Sequence, residues 1–138
     1  MGLVLDTSAL VELERLLARE FEGDLPWGEE LLLPAIVWAE ALVGVRLADT
    51  PLRAAQRRAR LESLRIHLAI EPFSPAIAEH YADIFAELTH SGGMIPQNDI
   101  AVAATARAMG FGVLAGPKDE KHFRRVAGLH VRVLSARR

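Results

Sequence analysis

Hydrophobic residues in this chain arrive as short runs that alternate with longer stretches of helical spacing. Gly2-Leu3-Val4-Leu5 is a brief apolar run cut off by Asp6-Thr7-Ser8, whose side-chain oxygens suit a helix start. From Ala9 to Phe21 the apolar positions are Leu10, Leu13, Leu16, Leu17 and Phe21, which predicts a helix. A loop with turn residues follows over 22–28, then a strand over 30–33, with Pro34 placed to open a helix through Leu47. Thr50-Pro51 begins an arginine-rich helix to about Leu64, 67–70 reads as a strand, and Ser74-Pro75 opens a helix to about His90, broken at Ser91-Gly92-Gly93. Gln97-Asn98-Asp99 starts an alanine-rich helix that Gly110 stops, and strands are predicted at 112–115 and 131–134.

Apolar strands alternating with helices predict an α/β fold: a three-layer sandwich with a central, mostly parallel sheet flanked by helices. No repeat or linker interrupts the pattern, so residues 1–138 are expected to form a single domain. In such sheets ligands bind beyond the carboxyl ends of the strands, where Asp6 is expected. The oiliest stretch, Leu31 to Val45, is 15 residues with Pro34 and Glu40 inside it. A membrane span needs about 20 apolar residues, so a buried core segment is expected and no membrane partner.

Composition narrows the chemistry. The absence of cysteine excludes a disulfide framework, a cysteine zinc site and a thiol nucleophile. Met1 to Asp6 lacks the pattern of an export signal, and Asp6 stands where a myristoylation signal wants Ser or Thr, so a cytoplasmic protein is expected. The net charge of −2 argues against a protein that simply coats nucleic acid. Five histidines show no paired ligand spacing and read as ordinary surface or half-buried residues; no glycine-rich nucleotide loop is present.

Four acidic positions carry the candidate chemistry. Asp6 and Asp99 each stand where a helix begins, and capping or dipole effects alone would account for them. Glu40 is the only charge in Ala35 to Val43, a segment apolar all round, so it needs a partner arginine, a solvent-facing slot or a cation. Asp119 lies in a polar loop after a predicted strand. Converging carboxylates raise one another's pKa, and a hard divalent ion, Mg²⁺ or Mn²⁺, is the natural counter-charge. Such a site suits hydrolysis of a phosphodiester.

Val4 to Leu10, Pro34 to Glu40 and Ile95 to Ala106 resemble the three acidic motifs of PIN-domain ribonucleases, and His122 to Val131 is similar to that family's ending. Order, spacing and length resemble the VapC toxins of type II toxin–antitoxin pairs. The resemblance implies a Mg²⁺- or Mn²⁺-dependent endoribonuclease whose metal is held by Asp6 and Asp99. It further implies that Glu40 acts directly or through water and that Ser8 orients a metal-bound water. Asp119, or Glu120 in its place, is the fourth site, although Ala115-Gly116-Pro117 departs from the threonine that relatives often carry. A cognate antitoxin and a homodimer are the implied partners, with an apolar groove between the 10–17 and 38–42 helical segments as the expected antitoxin contact.

Fourteen of the sixteen basic residues are arginines, and Arg53, Arg57 and Arg60 fall at helical spacing. Such a stripe is either a solvated helix face or a grip on RNA phosphates, with Arg124 a further contact. A non-catalytic PIN-like module that binds RNA or protein is the alternative function. A haloacid-type phosphatase is disfavoured because Ser8 stands where its second aspartate belongs, and a receiver domain because Glu40 lies within a helix.

Overall fold

Five strands, β1 (Leu3–Leu5), β2 (Leu31–Pro34), β3 (Ala69–Glu71), β4 (Gly112–Ala115) and β5 (Val131–Val133), pair in the order β3-β2-β1-β4-β5, every pairing parallel. The structure is a computed structural model that describes residues 2–19 and 26–135. Phe21 and the first part of the expected loop, 22–25, lie outside them. Every residue of β1, β2 and β4 is buried. Neighbouring strand residues point to opposite faces, so both faces are covered and helices flank the sheet on either side. Among the described residues no helix is long and apolar enough to cross a membrane.

The helices are α1 (Thr7–Ala18), α2 (Ala35–Arg46), α3 (Pro51–Leu64), α4 (Pro75–Ser91), α5 (Gln97–Met109) and the single turn α6 (Glu120–Phe123). Asp6, Thr50 and Ser74 accept backbone N–H bonds as N-caps, and Pro51 and Pro75 open their helices. Gly92 and Gly110, at φ 73° and 69°, end α4 and α5 in the left-handed conformation that glycine adopts without steric cost.

Four expectations are corrected. β3 begins at Ala69, because the chain leaving α3 is still turning: the amides of His67 and Leu68 bond back to Leu64 and Arg65, and His67 stacks on Trp27 at 4.2 Å. The polar stretch after β4 contains α6, which periodicity could not reveal in four residues; Phe123, fully buried, pins it. The apolar helix α2 is buried on one stripe only, Val37, Ala41 and Val45, while Val43 is 54% exposed. Of the residues expected to line a groove with α1, Leu10, Leu13 and Leu16 are core residues, while Leu17, Trp38 and Leu42 stay half-buried.

Packing also uses the arginine stripe. Arg57 of α3 reaches across to α1 and donates to Glu14 at 3.1 Å, and Glu14 is 8% exposed at its side chain. Gly44 leaves the room, since a Cβ there would overlap the guanidinium. A buried carboxylate deprived of its partner is costly, whereas an exposed pair such as Arg53–Asp49 contributes little. Arg57→Ala should therefore lower unfolding free energy by about 3 kcal/mol and Arg53→Ala by less than about 0.5 kcal/mol, as read by urea denaturation. Replacing both Glu14 and Arg57 by apolar residues should recover most of the loss; equal effects of the two alanine variants would refute this division.

Candidate functional site

The strand order reverses direction at β1: β2 and β3 extend to one side of it, β4 and β5 to the other. The carboxyl ends of the strands at such a reversal are the usual ligand position in open parallel sheets. A cleft of about 510 Å³ occupies this place, lined by Thr7, Glu40, Gln97, Asn98, Asp99, Lys118 and Asp119 among others. A second cavity of about 190 Å³ adjoins it, sharing Thr7, Lys118 and Asp119 and adding Ser8 and Arg15.

Asp6 follows β1 directly and is 0% exposed. Its carboxylate accepts the Ala9 amide at 2.8 Å and the Ser8 hydroxyl at 2.7 Å. Ser8 in turn accepts the Gly116 amide at 2.9 Å, which ties the exit of β4 to the start of α1. The two segments approach so closely that a Cβ on Gly116 would stand 2.9 Å from the Ser8 carbonyl oxygen. This close approach is the steric context of the glycine in Ala115-Gly116-Pro117. Burial pushes the Asp6 carboxyl up to about 6; its hydrogen bonds oppose this, and the charges of Asp119 and Asp99 add to it.

Asp99 stands in the first turn of α5. Burial raises its pKa, the hydrogen bond from His122 opposes the rise, and Asp119 and Glu40 reinforce it. His122 Nδ1 lies 2.7 Å from Asp99 Oδ2 and 3.7 Å from Asp119 Oδ1. Glu40, half-buried on α2, accepts the Thr7 hydroxyl at 2.9 Å, so the solvent-facing slot is the resolution of its isolated charge. The four carboxylates thus come from four separate segments: Glu40, Asp99 and Asp119 line one crevice, and Asp6 is buried close enough to feel the charges of Asp119 and Asp99. Ligand atoms of Asp99, Asp119 and His122 lie within 4.8 Å of one another. An oxygen-rich set with mutual repulsion fits a hard or borderline divalent ion.

Asp6, Glu40, Asp99 and Asp119 are brought together; several other expected residues are not. Glu120 turns away and pairs with Arg124 at 2.7 Å. Arg53 is paired with Asp49 and Arg57 with Glu14, while Arg60 is half-buried with its Nε shut off from solvent; none of these, nor Arg124, lines the cleft. Ser8 has one hydroxyl proton, and it is given to the Asp6 carboxylate, which it thereby holds. Sequence reasoning missed Thr7, Lys118 and His122. The histidine was invisible to a search for paired ligands along one helix, because its partners come from other elements. The buried Phe123 beside it was the available signal.

The PIN domain family model matches residues 3–129. The chain is 30% identical to Ribonuclease VapC1 of Rickettsia felis over 139 residues, covering 99% of each chain. Among solved structures it is similar to VapBC2 from Rickettsia felis bound to a promoter DNA fragment, with a TM-score of 0.84, 22% identity and coverage of 98% of this chain and 100% of that one. It is also similar to VapBC-5 from Mycobacterium tuberculosis, a member of the VapBC family of toxin–antitoxin systems, with a TM-score of 0.71, 26% identity and 98% coverage of each chain.

A carboxyl raised on folding binds its proton more tightly in the native state, so its contribution to stability is present below the unfolded pKa and is lost as pH rises through the folded one. For Asp6 that window runs from the ordinary 3.8 to about 6. Without metal, the stability of the native protein relative to Asp6→Asn should fall by on the order of 3 kcal/mol across it. Urea unfolding at several pH values checks this; a difference that stays flat between about pH 4 and pH 7 would contradict a raised Asp6.

Proposed function

This chain belongs to the PIN domain family, and from that premise we propose that it is a Mg²⁺- or Mn²⁺-dependent endoribonuclease, residues 1–138 acting as a single nuclease domain. The observation that carries the proposal is the gathering of Glu40, Asp99 and Asp119 in the switch-point crevice, with the buried Asp6 electrostatically coupled to Asp99 and Asp119. A module that only bound RNA would gain nothing from four carboxylates, which repel a phosphate backbone. The relative named Ribonuclease VapC1 supports the same class of activity.

In this reading Asp6, Asp99 and Asp119 hold the ion, with Glu40 directly or through water. When bound, the ion supplies Lewis acidity toward the phosphodiester and charge to offset the developing anion. The protein's own groups do the rest. Ser8 and the Ala9 amide fix Asp6, and Thr7 holds Glu40 Oε1. Glu40 Oε2 accepts the proton of the attacking water. Lys118 forms no ion pair among the described residues and lines both adjoining cavities, so it is the cation placed to meet an RNA phosphate there.

The similarity to VapBC structures supports a role as the toxin of a toxin–antitoxin pair in the cytoplasm, with an antitoxin as partner. Apolar side chains left uncovered, Val43, Leu47 and Leu52 on one side and Phe73 and Phe85 on another, offer surfaces for the antitoxin and for a second copy in a homodimer.

Incubation of RNA with the purified protein and Mg²⁺ or Mn²⁺ should yield internal cleavage that a chelator stops. Asp99→Asn should retain the fold by circular dichroism and lose more than about 100-fold in rate, beyond what loss of an outer partner costs. Cleavage at an unchanged rate by Asp6→Asn and Asp99→Asn would overturn the proposal. Lys118→Ala should raise KM several-fold, leave kcat nearly intact and reduce the slope of binding against salt by about 1; unchanged KM and slope would remove Lys118 from the RNA path.

A further inference from the structure

We propose that His122 is a positioning residue that aims the Asp99 carboxylate at the metal, an inference that rests on the metal-dependent reading above. Two of the other acids of the site are held by a hydroxyl or amide of α1: Asp6 by Ser8 and Ala9, Glu40 by Thr7. Asp99 has no such help. It lies in the first turn of α5, where Pro96 occupies the cap position and provides no side-chain bond. The donor that reaches its carboxylate among the described residues is His122, at 2.7 Å.

An ionised carboxylate only accepts, so Nδ1 carries the proton and Asp99 Oδ2 is committed to it. That bond restrains the carboxylate rotation about χ2 and leaves Oδ1 for the ion. Asp119 Oδ1, 3.7 Å from the same nitrogen, is beyond hydrogen-bond reach and keeps its freedom. The imidazole is itself held in place: α6 hangs on Phe123, which has no exposed surface, and the His122 side chain is only 20% exposed. A buried phenyl ring in the core thus sets the direction of a carboxylate on a different helix. Outer partners of metal ligands act in this way, by fixing the ligand before the ion arrives.

The test is Mn²⁺ affinity, read by the electron paramagnetic resonance signal of unbound Mn²⁺, together with metal-free melting. His122→Leu removes the donor, His122→Gln moves it to the Nε2 position, and His122→Asn keeps an N–H close to the Nδ1 position. Mn²⁺ binding should weaken about 10–100-fold in His122→Leu and His122→Gln and stay within about 3-fold of the native protein in His122→Asn. Metal-free melting of the two amide variants should match. Native affinity in His122→Gln, or an equal loss in His122→Asn, would overturn the positioning role, the latter showing that the ring itself is what the ion needs. A native protein that binds no Mn²⁺ would instead overturn the metal-dependent reading, and this inference with it.

Discussion

A carboxylate without exposed surface, at the end of the central strand, sets the terms for the rest of this structure. Burying Asp6 is costly unless its oxygens are satisfied, and the first turn of α1 satisfies them through the Ala9 amide and the Ser8 hydroxyl. Ser8 at the same time accepts the Gly116 amide, and that close approach needs a residue without a side chain at 116. The exit of β4 is thereby pinned against α1. From there the chain runs directly to Asp119 and His122, which meet Asp99. One buried charge therefore links the carboxyl ends of two neighbouring strands to the opening of α5.

Electrostatics within the fold divide the charged residues into two populations. Most arginines are engaged in intramolecular pairs: Arg57 with Glu14, Arg107 with Glu87, Arg124 with Glu120 and Arg132 with Glu29. The carboxylates of the crevice have no arginine partner among the described residues, and burial together with mutual repulsion raises Asp6 and Asp99. A net charge near zero conceals this separation. Charge that the fold leaves unbalanced in a concave place is the part available to a ligand.

The legibility of the elements followed the strength of their local signals. Caps and terminators such as Thr50-Pro51, Ser74-Pro75, Gly92 and Gly110 marked helix ends because each acts locally: a hydroxyl accepts a first-turn amide, proline fixes φ, and glycine takes the left-handed conformation that closes a helix. Apolar runs marked β1, β2 and β4 because strands covered on both faces tolerate little else. β3 was displaced because an edge strand has a weaker pattern and the turn after α3 continued past its expected start. The stripe of Arg53, Arg57 and Arg60 was a correct periodicity with an incomplete meaning: spacing shows which residues share a helix face, and Glu14, 43 positions away, claims Arg57.

The order of residues by itself determined the alternation of strands and helices, the parallel sheet and the four acidic positions, since each depends on local propensity, periodicity or motif. Tertiary structure alone decided what those positions meet. Whether Asp119 or Glu120 faces the crevice, whether Ser8 is free or spent on Asp6, and which imidazole reaches Asp99 are settled by contacts between segments distant in the chain. Such contacts depend on strand order and on the angle at which each chain leaves the sheet, and no local pattern encodes either.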